Sequence, residues 1–99
     1  MTTQLPTKFA YDGFEFRQLA RNGDIVLLEK SKTSHLEPTY EVVIVQRHPA
    51  QNIHGRPYPE RESMPPSETW GTAGWTYSDF QTAKLKFDQL VTPPLQYQF

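Results

Sequence analysis

Apolar and polar residues alternate in the first third of the chain in the pattern of a β-hairpin. The stretch GFEFRQLARNGDIVLLEKS, residues 13–31, has such runs on both sides of Asn22-Gly23. Asn-Gly strongly indicates a hairpin, because a type I′ turn needs a positive φ at both central residues. A turn there predicts cross-strand pairs of Arg21 with Asp24, Leu19 with Val26, Arg17 with Leu28 and Glu15 with Lys30. It also places on one face Phe14, Phe16, Ala20, Ile25 and Leu27.

Two more strands and a helix follow from the same patterns. TYEVVIVQRH, residues 39–48, is β-branched and apolar at its centre, which predicts a central strand pairing with residues 24–31. WTYS, residues 75–78, predicts a fourth strand. SDFQTAKLKFDQLV, residues 78–91, predicts a helix capped by Ser78 with Gln81 completing a capping box. Thr92-Pro93-Pro94 ends this helix, and its apolar stripe is Phe80, Ala83, Phe87, Leu90 and Val91.

The predicted fold is a single α+β domain over residues 1–99, in the order β-β-β-β-α. A four-stranded antiparallel sheet carries the C-terminal helix on one face. Three segments lie outside this frame: an N-terminal arm at 1–10, a long Pro-rich loop at 49–69 and a C-terminal tail at 92–99. The loop holds five of the nine prolines, which exclude a helix or an inner strand. Connections are typically about 4–6 residues long, so we expect so long a loop to be functional or mobile.

Composition narrows the classes of function. Ten basic and eleven acidic side chains give a net charge of −1, which argues against generic nucleic-acid binding. The chain has no cysteine, which excludes disulfides, thiol catalysis and thiolate zinc sites. The longest apolar run, Val42 to Val45, is too short to cross a bilayer, and the first residues lack the pattern of a secretion signal. We therefore expect a cytoplasmic protein without membrane contact.

No motif in the sequence indicates catalysis or metal binding. The histidines are His35, His48 and His54, and the last two lie near Glu60 and Glu62. Their spacing matches neither a helical His-x-x-x-His pair nor His-Glu-x-x-His. There is no Gly-x-Ser-x-Gly elbow, and nothing in the sequence places a serine near a histidine. The prediction is a protein that is not an enzyme and has no metal and no cofactor.

Both tryptophans lie in ETWGTAGWTY, residues 68–77. Trp75 and Tyr77 are two positions apart on the fourth strand, so they share a face, which we expect to be the one beneath the helix. Trp70 would point the other way, and the two intervening glycines can absorb the mismatch as a turn or bulge. The alternative use of Trp70 is a stacking platform built together with Tyr58.

The same region resembles a known group of proteins. YPERESMPPSETWGTAGWTYSDFQTAKLKF, which follows the strand YEVVIVQRH, is similar to the ending of small uncharacterised proteins found mainly in bacteriophages. In those proteins a proline-bearing loop leads to a Trp-Gly segment, a second GWTY and an amphipathic helix. The resemblance covers residues 40–90 and implies a shared fold and a viral setting, with the host cytoplasm as its location. It implies no activity and no catalytic residues.

The predicted sheet has one face that the helix cannot cover. If the helix lies on Phe14, Phe16, Ile25 and Leu27, the other face presents an apolar patch with charged neighbours, and such patches usually mark interfaces. The patch consists of Leu19, Val26, Leu28, Val43 and Val45, with Arg17 and Arg47 on its rim. Three occupants stay open: a terminal segment of the same chain (Leu5, Phe9 and Tyr11, or Leu95, Tyr97 and Phe99), a second copy, or a foreign protein.

The predicted function is that of a small non-enzymatic interaction protein, phage-encoded, that binds and inhibits a host or phage protein. Contact is expected through the apolar sheet face or through loop residues Arg56, Tyr58 and Trp70. The alternative is a single-stranded nucleic-acid binder, which would combine basic side chains with stacking aromatics. Its candidate residues are Arg17, Arg21, Lys30, Arg47 and Arg56 with Trp70 and Tyr58. Acidic residues in the same strands, Glu15, Asp24, Glu29 and Glu41, would repel a phosphate backbone.

Overall fold

The computed structural model describes residues 4–34 and 37–91, and this part of the chain has an α+β fold. Its main sheet is antiparallel with five strands in the order β1-β2-β3-β4-β9, and one helix packs on it. The bounds are β1 Lys8–Tyr11, β2 Phe14–Asn22, β3 Ile25–Ser31, β4 Thr39–Ile44, β5 Gln46–His48, β6 Gln51–Ile53, β7 Arg56–Tyr58, β8 Arg61–Ser63, β9 Gly74–Tyr77 and α1 Phe80–Val91. The predicted class is confirmed, with five strands in the sheet instead of four.

The fifth strand is β1, in the segment that was predicted to be an arm over residues 1–10. A tight turn at Asp12-Gly13 returns the chain onto β2, with φ of 54° and 82° at its two residues. Phe9 lies opposite Phe16, and their rings stack with centroids 5.2 Å apart. The prediction for this segment is therefore wrong from Lys8 onward, and the predicted tail at 92–99 lies outside the described residues.

The hairpin of β2 and β3 exists, but its register differs from the prediction. Its two-residue loop is Gly23-Asp24, with Asn22 opposite Ile25, and the register shifts again between Gln18 and Ala20. This shift is a β-bulge, which adds one residue to one strand of a pair. The predicted cross-strand pairs are consequently wrong. Arg17 lies opposite Glu29 and Arg21 lies opposite Val26.

The bulge sends the two halves of β2 to opposite faces of the sheet. Residues two apart normally share a face, and one extra residue reverses that phase. Phe16 therefore packs with Val26 and Leu28, away from the helix, while Ala20 packs with Leu27 beneath it. The prediction that α1 covers Phe14 and Phe16 is wrong. The prediction that it covers Ile25 and Leu27 is confirmed.

Each face of the sheet carries its own apolar cluster. The helix-side cluster has a buried centre of Leu27, Val42, Ala83 and Phe87. Trp75 and Tyr77 pack against it, which confirms the face predicted for them, together with Leu90 and Val91 of the predicted stripe. Phe80, the first residue of that stripe, is 42% exposed. The second cluster, on the opposite face, consists of Leu5, Phe16, Val26, Leu28, Val43, Val45 and Met64.

The predicted Pro-rich loop at 49–69 contains regular structure. Strands β5 and β8 pair, and beyond them β6 and β7 pair around a turn at His54-Gly55, with φ of 51° and 77°. Residues 46–63 thus form a two-stranded ribbon, called the arm from here on. Pro57 is compatible with β7 because a ribbon has open outer edges, where a missing N–H breaks no ladder. A short 3-10 turn, Ser67–Thr69, follows the arm.

The helix is capped by Asp79 and not by Ser78 as predicted. The backbone N–H of Thr82 donates to Asp79 Oδ2 at 2.9 Å, and the Thr82 hydroxyl donates to the same carboxylate. The first of these bonds satisfies one of the backbone N–H donors that the first turn of a helix leaves without partners. The Thr82 backbone bond is also the main reason why the pKa of Asp79 lies below its ordinary value.

We expect Asp79→Ala to lower the midpoint of thermal unfolding by a few degrees, because it removes the cap of the helix that covers the helix-side cluster. Ser78→Ala is the matched control and should leave the midpoint unchanged, since no hydrogen bond of the Ser78 side chain is present among the described residues. Circular dichroism during heating measures both. A larger shift for Ser78→Ala would assign the cap to Ser78.

Candidate functional site

The apolar patch predicted for partner binding lies inside the monomer. Val26, Leu28 and Val43 are 0% exposed and Val45 is 5% exposed. Leu5 and Met64 complete their cluster, so segments before β1 and after β8 close this face. The predicted exposure of these four residues is therefore wrong, and the open question of what covers them is answered by the chain itself. Leu19 lies elsewhere, against the helix-side cluster.

The two predicted rim arginines are both engaged in ion pairs. Arg17 donates to Glu29 across β2 and β3, with 3.1 Å between Nη2 and Oε1, on an exposed part of the sheet. Arg47 donates to Asp24 with 2.7 Å between Nη2 and Oδ1, which links the start of the arm to the hairpin loop. The Asp24 bond is the main cause of a raised pKa at Arg47. Both guanidinium groups therefore already have an acidic partner within the monomer.

A buried ion-pair network holds the base of the arm. The Glu62 side chain is only 1% exposed, and Arg21 binds both of its oxygens, at 2.8 and 2.7 Å. The backbone N–H of Leu5 donates to Glu62 Oε1 at 3.0 Å, and Arg47 Nη2 lies 3.5 Å from Oε2. The Arg21 bond is the main reason why the pKa of Glu62 is lowered. The network ties the N-terminal segment, β2 and the arm together at one point.

The outer part of the arm has the opposite character. Every residue from 49 to 59 is exposed, and the side chains there include the large apolar Ile53 and Tyr58, at 43% and 47% exposure. Arg56 and His54 are the basic residues of this stretch, which contains no aspartate or glutamate. Arg56 and Tyr58, two of the three predicted loop contacts, thus lie on the arm, whereas Trp70 follows it.

One serine lies near a histidine, which the sequence did not reveal. His48 Nε2 and Ser63 Oγ are 2.8 Å apart across the β5–β8 ribbon, and Ser63 Oγ also contacts the Met64 carbonyl oxygen at 3.3 Å. Within the described residues, no carboxylate hydrogen-bonds the other ring nitrogen of His48. The contact links β5 to β8 across the ribbon.

The described residues contain no group of three histidine, aspartate or glutamate side chains close enough to hold a metal ion. His48, His54, Glu60 and Glu62 were the residues considered for such a site, and Glu62 is bound by arginine instead. His35 lies outside the described residues. In residues 4–34 and 37–91, no helix is both long enough and apolar enough to pass through a bilayer.

A hollow of about 510 Å³ opens on the face of the sheet away from the helix. The β1–β2 turn, with Tyr11 and Asp12, borders one side, and the segment after the arm, with Met64 and Trp70, borders another. The remaining lining includes Phe14, Phe16, Lys30, Glu41 and Thr76 from the strands. Ligand pockets generally span about 300–1,000 Å³ and combine apolar walls with a few polar groups. This hollow has that size and composition.

A chain of hydrogen bonds crosses the hollow. Trp70 Nε1 donates to Thr76 Oγ1 at 3.0 Å, and Thr76 Oγ1 donates to Glu41 Oε2 at 3.3 Å. Lys30 Nζ donates to the same Glu41 oxygen at 3.1 Å and lies 4.2 Å from the centre of the Phe14 ring. The Glu41 side chain is only 4% exposed, so its charge needs this compensation. These contacts fix a carboxylate and an ammonium group side by side.

The position of Trp70 depends on Gly74. A Cβ atom at Gly74 would lie 2.5–2.8 Å from three carbons of the Trp70 ring, so the ring rests directly on the glycine backbone. Gly71, at φ 99°, provides the turn that brings the two residues together. The six-membered ring of the indole therefore contacts the chain at Gly74, while Trp70 as a whole is 36% exposed. Tyr58, which was predicted to form a platform with Trp70, is not among the residues that line this hollow.

No family model, no curated protein and no solved structure matches this chain.

Proposed function

We propose that this protein is a non-enzymatic interaction protein that binds a partner protein with the outer part of its arm, residues 49–59. In the setting implied by the resemblance to phage proteins, the partner is a host or phage protein in the host cytoplasm, and the arm inhibits it by occupying a groove. The exposure of eleven consecutive residues in a paired ribbon is the observation that carries the proposal. These eleven residues contribute no side chain to either apolar cluster, so packing of the described core does not explain the ribbon.

The chemistry of the arm supports a protein partner. Tyr58 and Ile53 offer large apolar side chains near a cationic Arg56, and tyrosine and arginine are enriched among residues that dominate binding energies. The ribbon is already paired, so binding orders few additional residues. The anchoring contacts at its base, Arg21 with Glu62 and Arg47 with Asp24, hold it to the body. The sheet face considered earlier is less suitable, because its apolar residues are buried.

The nucleic-acid alternative has less support from the charges. Four of the five cations considered for it already have acidic partners: Arg17 with Glu29, Arg21 with Glu62, Lys30 with Glu41 and Arg47 with Asp24. Phosphate contacts would have to compete with each of these pairs. Among the described residues, Arg56 is the candidate that makes no ion pair. We therefore keep nucleic acid as an outcome of the test and not as a second function.

The test is a comparison of variants in affinity capture from a bacterial lysate, with and without nuclease. We expect Ile53→Asp with Tyr58→Asp to reduce recovery of the partner by about 30-fold, as the loss of about 2 kcal/mol implies. Leu85→Asp is the matched control, because Leu85 is an exposed apolar residue of α1, at 63% exposure. It should recover the same protein as the wild type, regardless of nuclease.

Two results would contradict the proposal. Equal recovery by the arm variant and by Leu85→Asp would place the contact elsewhere on the molecule. Recovery that disappears with nuclease in all variants would show that nucleic acid carries the interaction. Circular dichroism of each variant verifies that the fold is intact, which we expect because the substituted side chains are exposed.

A further inference from the structure

The hollow contains polar atoms that the monomer does not use. Lys30 and Thr76 both bond to Glu41 Oε2, and no described residue donates a hydrogen bond to Glu41 Oε1. That oxygen is not sealed in the interior either, since Gln18 Nε2 is the buried side-chain atom without a partner in the described part of the chain. The Lys30 ammonium has three N–H donors, of which Glu41 takes one. A hydrogen-bond acceptor and a donor therefore stand side by side in the hollow.

Beside them is a flat aromatic surface with a fixed orientation. The Trp70 ring is held on one side by the Gly74 backbone and at its edge by the bond from Nε1 to Thr76. Trp70 is 36% exposed and lines the hollow, so part of its ring system is open to a ligand there. Lys30 is held as well, through Glu41 and through the Phe14 ring. The hollow is thus preorganised before any ligand enters.

We propose that the hollow binds a nucleobase with a ring lactam, the adjacent N–H and C=O groups found in hypoxanthine, guanine and uracil. The ring N–H donates to Glu41 Oε1, the ring carbonyl accepts from Lys30 Nζ, and the ring stacks on Trp70. Stacking of nucleobases on aromatic side chains is a common source of affinity in proteins that bind single-stranded nucleic acid. This site is separate from residues 49–59 of the arm, so the inference does not rest on the proposed function.

The charges favour a neutral ring over a phosphate. Lys30 and Glu41 compensate each other at 3.1 Å, so an anion drawn to the ammonium would also meet the carboxylate. A lactam has no net charge and matches both groups at once. Binding should therefore depend on the base and be nearly independent of salt, in contrast to binding through a phosphate backbone.

Intrinsic fluorescence offers a direct test, since the chain has two tryptophans and only Trp70 lines the hollow. In Trp75→Phe, which keeps an aromatic ring under the helix, Trp70 is the only reporter. We expect inosine to quench this fluorescence and the quenching to saturate. The amplitude and the midpoint of the titration should be the same at low and at high salt. The control ligand is 1-methylinosine, which has the same ring system but lacks the N–H, and it should bind at least tenfold more weakly. Calorimetry with the wild type and with Trp70→Leu repeats the comparison without fluorescence.

Three outcomes would overturn the inference. Equal titration by inosine and 1-methylinosine would mean that the ring stacks on an exposed tryptophan without being read by Glu41 and Lys30. An absence of saturation up to millimolar inosine in both assays would mean that the hollow does not take a base. Binding of an inosine oligonucleotide that inosine does not reproduce, and that weakens with salt, would assign recognition to phosphates.

Discussion

Replacing Trp75 with alanine is expected to lower the free energy of unfolding by about 3 kcal/mol, the lower end for a tryptophan in a packed cluster. The lower end applies because Trp75 is half-buried, beneath the helix. The ring lies opposite Val42 on the neighbouring strand, and Lys86 places its ammonium 4.2 Å from the ring centre. Alanine would leave a void between β9 and α1 and remove that cation–π contact.

The matched variant is Trp70→Ala, five positions earlier in the same motif. Trp70 borders the hollow and is 36% exposed, so its loss should cost about 1 kcal/mol. Urea unfolding followed by circular dichroism gives both values. If Trp70→Ala were the more destabilising of the two, Trp70 would be needed mainly for folding. The proposal that Trp70 serves as a surface for a ligand would then be weakened.

The second large effect concerns Glu62. We expect Glu62→Ala to lower the free energy of unfolding by about 3–5 kcal/mol, because it leaves the Arg21 guanidinium partly buried without its partner. The backbone N–H of Leu5 also loses its acceptor. Glu29→Ala is the control, since Glu29 forms a similar cross-strand pair with Arg17 on the exposed face, and such pairs contribute less than about 1 kcal/mol.

The pH dependence gives an independent reading of the same network. Arg21 lowers the pKa of Glu62 below its ordinary value near 4.5, so the carboxylate stabilises the fold above that pH. This stabilisation decreases once Glu62 of the unfolded chain becomes protonated, and it is lost as the pH falls through the lowered pKa, where Glu62 of the folded protein becomes protonated as well. The difference in unfolding free energy between wild type and Glu62→Ala should therefore shrink between about pH 5 and pH 3. A constant difference over that range would mean that Glu62 acts by packing and not by charge.

The sequence predicted the elements better than their arrangement. The hairpin, the central strand and the helix with its apolar stripe all follow from periodicity and are present. The bulge was not foreseen because Leu19 and Ala20 are both apolar, so the alternation on each side of them can be read as one continuous phase. The one extra residue in the bulge determines which face Phe14 and Phe16 occupy, and therefore where the second cluster lies.

The candidate sites were predictable only in part. Asp12-Gly13 is a hairpin signal of the same kind as Asn22-Gly23. The polar residues around Pro6 nevertheless led to the prediction that residues 1–10 have little structure of their own. The hollow requires Lys30, Glu41 and Trp70 to meet, and Lys30 and Glu41 approach each other through the register of β3 and β4, which pairs Leu28 with Glu41 and Lys30 with Thr39. Turn chemistry can be read locally, whereas a site built from three distant segments depends on the whole fold.

Under the proposed function, the arm separates the demands of folding from those of recognition. Its base contributes Glu62 to a buried network, but residues 49–59 contribute no side chain to either apolar cluster. Substitutions in that stretch are therefore nearly neutral for folding, and under the proposed function selection acts on them through binding. A chain built in this way can follow a changing partner, or acquire a new one, by altering a few residues at the end of a ribbon while the rest of its sequence stays as it is.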